Sequence, residues 1–152
     1  MPCTKLVALA LLALSSLAVS QQADEGDYVV LSLHDVEAVF EGVHFTLCKG
    51  KTSLCPYQCG GSGVVASFRT QRYNAYERTS EWADQMAAQV QFMLEATDGS
   101  TDFRPDAKAA AQSLVEGERV HLVWHHIYPA ADYKGAKIPS RQVVLLEKEG
   151  KP

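Results

Sequence analysis

Hydrophobic and polar residues alternate with period two along much of this chain. Val36, Ala38 and Phe40 alternate with Glu37, Val39 and Glu41, and Val43, Phe45 and Leu47 alternate with His44, Thr46 and Cys48. Side chains of a strand point to opposite faces in turn, so this pattern predicts half-buried strands. Strands are expected at Tyr28–Phe40 and Val43–Leu47, with Glu41-Gly42 turning the chain between them into a hairpin. Val64, Ala66, Phe68 and Thr70 alternate with Val65, Ser67 and Arg69, which predicts a strand continuing toward Tyr76. From Ser80 to Ala96 two periods compete. Trp82, Met86, Val90 and Leu94 fit one helical face, whereas Gln89 to Ala96 alternates almost strictly. The reading that satisfies both is a helical turn near Glu81–Ala88 and a strand at Gln89–Ala96, closed by the turn Thr97-Asp98-Gly99-Ser100.

Pro105 to Val115 carries the clearest helix signal. Proline suits the first helical position, Asp106 suits the positive end of the helix dipole, the alanines that follow favour helix, and Gly117 fits just past the end. Glu118 to Tyr128 is the clearest strand, with Val120, Leu122, Trp124, His126 and Tyr128 on one face and His121, Val123, His125 and Ile127 on the other. Pro129 to Pro139 reads as a loop and Arg141 to Lys148 as a last strand. Several strands, one helix and two further strands define a mainly β domain, at the margin of α+β. The order matches a small five-stranded barrel of the OB type, with its helix before the fourth strand. An open α+β sheet with a helix on one face is the competing architecture. The strand start Glu116-Gly117-Glu118-Arg119-Val120 resembles the fourth strand of many OB-folds and favours the barrel. Fold alone licenses no ligand.

The first 20 residues have the pattern of a secretory signal. Lys5 supplies the positive charge, Leu6–Val19 is an apolar run too short to span a bilayer comfortably, and Ala18-Val19-Ser20 offers small residues for cleavage before Gln21. Residues 21–27 are polar and expected to fray, 28–148 form the single domain, and 149–152 fray again. Cys3 precedes the apolar run, which argues against a lipoprotein anchor, and no later stretch is long and apolar enough to cross a membrane as a helix. The expected location is extracellular or periplasmic. The formal net charge is −4, and loss of Lys5 makes it one unit more negative. An acidic domain without a basic run is a poor partner for nucleic acid or an anionic membrane, which leaves an unidentified ligand or protein as the expected partner.

Export would leave Cys48, Cys55 and Cys59, all within the glycine-rich stretch 48–63. An oxidising compartment permits a disulfide, and three cysteines then leave one thiol over. Three thiolates and one histidine would instead complete a tetrahedral zinc shell. His126, His125 and His44 are the candidates for the fourth position. His44 lies four residues before Cys48, about 13 Å away on a regular strand at 3.3 Å per residue, so it joins Cys48 on one metal only if the strand breaks near Thr46. Zinc is therefore the cofactor of the metal reading, and the disulfide reading needs none. A thiol active site with a histidine base is a third reading, although the spacing is not Cys-x-x-Cys. His121 and His125 share a strand face at a spacing compatible with a metal, and equally with plain exposure to solvent. His126 follows Trp124 on the core face, where a histidine hydrogen-bonded within the core, to Tyr128 for instance, explains it without a ligand.

Cys48, Cys55-Pro56, Cys59-Gly60, then Leu114-Val115-Glu116-Gly117-Glu118-Arg119-Val120 and Trp124-His125-His126-Ile127-Tyr128 resemble a group of small, uncharacterised, mostly bacterial proteins. Those have a Cys-Pro-x-x-Cys-Gly loop and a later Trp-x-His-x-Tyr strand. The resemblance puts weight on Cys48, Cys55, Cys59 and His126 and implies no reaction. The function expected from the sequence is that of a secreted, non-enzymatic binding domain with a structural cysteine loop. The alternative is a small secreted metal-dependent or thiol enzyme centred on that loop and His126.

Overall fold

A computed structural model describes residues 28–47, 61–131, 134 and 137–150. The elements are β1 (Tyr28–Thr46), β2 (Gly63–Arg78), β3 (Gln89–Ala96), α1 (Pro105–Gln112), β4 (Arg119–Pro129) and β5 (Ser140–Lys148). All five strands form one antiparallel sheet in the order β3-β2-β1-β4-β5. The mainly β class and the single helix before the fourth strand are as the sequence predicts. Closure is partial. The two edges of the sheet approach where Phe103 bridges Val143, with Arg104 N donating to Val143 O and Val143 N to Asp102 O. That isolated contact is not a ladder, so the sheet is curled but open.

Two expectations fail, for identifiable reasons. Glu41-Gly42 does not turn the chain into a hairpin. β1 runs through it as one long strand, and Gly42, at φ +104°, takes up an irregularity in the pairing with β2 between Phe40 and Gly42. A glycine serves a bulge as readily as a turn, because both use backbone conformations that side chains disfavour. The helical turn expected at Glu81–Ala88 is also absent. One bond, from Ala83 N to Ser80 O, makes a simple turn, and the rest of the connection is irregular. By contrast, the strand expected at Gln89–Ala96 is present with those bounds.

The core lies on the concave side. Val36, Ala38 and Phe40 of β1 meet Ala66 and Phe68 of β2, Phe92 of β3, and Val120, Leu122 and Trp124 of β4. Phe40 and Phe68 stand directly opposite each other, and Phe68, Phe92 and Trp124 continue the aromatic run through tilted and edge contacts. Helix α1 has only eight residues and is too short to persist alone. Ala107 and Ala111 bury one side of it beneath the sheet, and Ser113 caps its end by donating to Ala110 O. Gly117, at φ +91°, then leads into β4, where Gly117 N donates to Phe40 O. Gly63 is held by packing: a Cβ there would lie 2.4 Å from Glu95 O and 2.6 Å from Ala96 Cα.

Candidate functional site

Ser32 and His34 share the inward face of β1 with Val36, Ala38 and Phe40, and both are fully buried. Pairing sets what they meet. His34 stands opposite Trp124 of β4 on one side and Tyr76 of β2 on the other. Its ring stacks on Trp124 with centroids 4.4 Å apart and planes 12° from parallel, and Tyr76 and Tyr73 tilt against it at 5.0 and 6.1 Å. His34 Nε2 bonds Ser32 Oγ at 2.9 Å. Burial is the main force on its protonation and drives its pKa from 6.5 down to about 4. The Asp84 carboxylate opposes this, and the charges of Arg141, His126 and His125 add to the lowering. His34 is therefore neutral near pH 7.

The connection between β2 and β3 folds over this cluster, and side chains hold its backbone. Tyr76 Oη donates to Asp84 O at 2.9 Å, Ala87 N donates to Tyr73 Oη at 3.0 Å, and Asp84 N donates to His126 Nδ1 at 3.0 Å. Arg78 caps the start through Ser80 O and Glu81 O. These bonds engage backbone groups that a helix would need, which explains why none forms here. In the bond from Asp84 N, His126 Nδ1 is the acceptor.

Asp84 and Arg141 complete the group. Arg141 Nε donates to Asp84 Oδ2, and His126 Nδ1 lies 3.8 Å from Asp84 Oδ1. Burial pushes the Asp84 pKa upward, but the hydrogen bond and charge of Arg141, helped by His126 and His34, more than offset it. The net shift is downward and the carboxylate is ionised. Beside the pair opens a cavity of about 360 Å³, lined by Asp84, Gln85, Gln89, Gln91, Trp124 and Arg141 among others. Gln89 is held by its bond to Glu41. Trp124 Nε1 and His34 Nδ1, on the two stacked rings, are buried and find no partner among the described residues, as is also true of Ser67 Oγ and Thr70 Oγ1. Each such atom costs about 1–3 kcal/mol.

The residues singled out from sequence divide between the two ends of β1. His126 stands opposite Ser32 and His125 opposite Leu33, near its start. His126 is buried, and its bond is to Asp84 rather than to Tyr128. His125 is half-buried, with its pKa lowered by burial and by Arg104. His121 bonds Asp35 at 2.9 Å. His44 is exposed near the far end of β1, opposite Val65. Strand β1 runs unbroken to Thr46, so the break that sharing a metal with Cys48 requires does not occur up to that point. Cys48, Cys55 and Cys59 lie outside the described residues. Among the described residues, no three His, Cys, Asp or Glu side chains group as they would around a metal ion.

Sequence reasoning reached Trp124 and His126 but missed His34, Asp84 and Arg141. A signal for His34 existed: it keeps the parity of Val36, Ala38 and Phe40. None existed for Asp84 and Arg141, which meet only through the fold. Comparison with protein-family models, with curated proteins and with solved structures finds no match.

Proposed function

We propose that this protein is an exported, non-enzymatic binding domain whose ligand enters the cavity beside the Asp84–Arg141 pair. The observation that supports the reading is the lining of that cavity: a paired carboxylate and guanidinium, three glutamines and the edge of a buried tryptophan in about 360 Å³. Small-molecule pockets combine such a volume with a few convergent polar groups. Export rests on the pattern of residues 1–20. The cysteines serve as the lock of the β1–β2 connection, as a disulfide or around zinc. An enzyme built on those cysteines and His126 gains no support from the strand register, which sets His126 near the start of β1 while the cysteine segment leaves after Leu47.

The test is a ligand-observed NMR screen of a small-molecule library against the wild type and Ala87→Phe. Ala87 lines the cavity and is half-buried, so a larger side chain fills the space. Ligands of the wild type should lose binding in the variant while its fold persists. Identical binding profiles for the two proteins would overturn the reading.

A further inference from the structure

The lining of the cavity discriminates among ligand classes. Its charged members, among the described residues, are Asp84 and Arg141, and they bond each other. A carboxylate or phosphate reaching Arg141 would meet the Asp84 carboxylate beside it, and an amine reaching Asp84 would meet Arg141. Nearby Glu41 is likewise paired, with Arg69 at 2.9 Å. The net charge facing a ligand is close to zero, which disfavours ions of either sign.

What remains is a dense set of neutral hydrogen-bonding groups. Each glutamine amide both donates and accepts, the guanidinium keeps donors beyond the Nε that bonds Asp84, and Asp84 keeps acceptor capacity. Planar groups of this kind match adjacent hydroxyls, where one oxygen donates while its neighbour accepts. The volume also fits. About 360 Å³ is the share of roughly a dozen waters at 30 Å³ each, and a hexose ring with its hydroxyls has a similar number of heavy atoms.

A second observation comes from the same connection. Trp82, two residues before Asp84, is 79% exposed, and Met86, two residues after it, is 54% exposed. Tryptophan is on average among the well-buried side chains. Here one stands in water on the segment that carries Asp84 and Gln85, and its ring offers an apolar face to the C–H surface of a sugar.

We propose that the cavity takes one ring of a neutral carbohydrate, with Gln85, Gln91 and the Asp84–Arg141 pair on its hydroxyls and Trp82 against the adjoining ring. This deepens the binding-domain reading and rests on it.

The experiment is ¹H–¹⁵N NMR titration of the full secreted protein. The sugar probes are glucose, galactose, mannose and N-acetylglucosamine, each with its disaccharide. The comparison probes are acetate, succinate, inorganic phosphate, putrescine and adenosine. A sugar should shift the resonances of Gln85, Gln91 and the Trp124 indole. Trp82→Ala should weaken a disaccharide at least tenfold and a monosaccharide by less than threefold, and Gln85→Ala should weaken both. Both positions are exposed, and unchanged thermal midpoints will confirm folding. If a comparison probe shifts the cavity resonances and no sugar does, the carbohydrate inference falls and the binding-domain reading stands. Silence of the cavity resonances to every probe overturns both.

Discussion

The two ends of β1 are built on different terms. Before Gly42, Ser32, His34, Val36, Ala38 and Phe40 all face inward and are buried, and the polar members are drawn into a network with Trp124, Tyr76, Asp84 and Arg141. Past Gly42 the same alternation continues, yet Val43, Phe45 and Leu47 are 54%, 61% and 64% exposed. Val43 stands opposite the fully buried Ala66, so it belongs to the inner face but lies beyond the packed core. It borders a shallow hollow of about 500 Å³ with Phe40, Leu94 and Leu114. Alternation therefore identifies a face, whereas burial depends on what the fold places over that face. One part of β1 is covered by polar residues with specific bonds. The other leads, with its apolar residues still in water, into the segment that carries the cysteines.

The comparison breaks most visibly at Trp124. Trp124→Ala removes the ring that floors the cavity and supports His34, and should cost about 3–5 kcal/mol by chemical denaturation. A loss below about 1 kcal/mol would mean that this end is not the packed one.

Acid should expose the same end. His34 has a folded pKa of about 4 against an ordinary 6.5. The folded state thus binds fewer protons than the unfolded chain in that window. Its contribution is fully present above about pH 6.5 and is lost as pH falls toward 4, up to about 3 kcal/mol in all. His34→Gln keeps a neutral polar group and should flatten the pH dependence of the thermal midpoint across that window. An unchanged slope would show that His34 is not the group responsible. Asp84, with its lowered pKa, adds a loss in the same direction at lower pH, and Arg141→Ala, which removes the main force lowering that pKa, should shrink this loss.

Gly63 sharpens the comparison from the other side. It lies at the cysteine end, opposite Thr46, yet it is tightly enclosed by Glu95 and Ala96. Gly63→Ala should cost about 1–3 kcal/mol through overpacking. Phe45→Ser, one residue before Thr46 and exposed, should change stability by less than about 0.5 kcal/mol. A larger loss would mean that Phe45 is covered in solution.

How far the sequence carries depends on whether the cause is local. Gln89–Ala96 was readable because its alternation is strict and a turn ends it. The helix was readable from Pro105 and Asp106, although it stops at Gln112 rather than Val115 because Ser113 caps it there. Gly42 was misread because a bulge and a turn make the same local demand on glycine. The connection after β2 was misread because its conformation is set by side chains of the sheet it folds over, Tyr73 and Tyr76 of β2 and His126 of β4. The site has the same character. Trp124 and His126 stood out on a clear strand face, whereas Asp84 and Arg141 come together only when β5 closes beside that connection.

The chain has two tryptophans, and their indole N–H groups report directly on the claim that function sits at the start of β1. Trp82 is exposed and Trp124 buried, so hydrogen exchange should be fast for the first indole and slow for the second. The decisive measurement records both indole resonances together with the backbone resonances of Cys48–Gly60 during titration with the disaccharide probes. Both indoles should shift, and the cysteine segment should stay unmoved, before and after treatment with reductant and chelator. Shifts confined to the cysteine segment, with both indoles silent, would contradict the account.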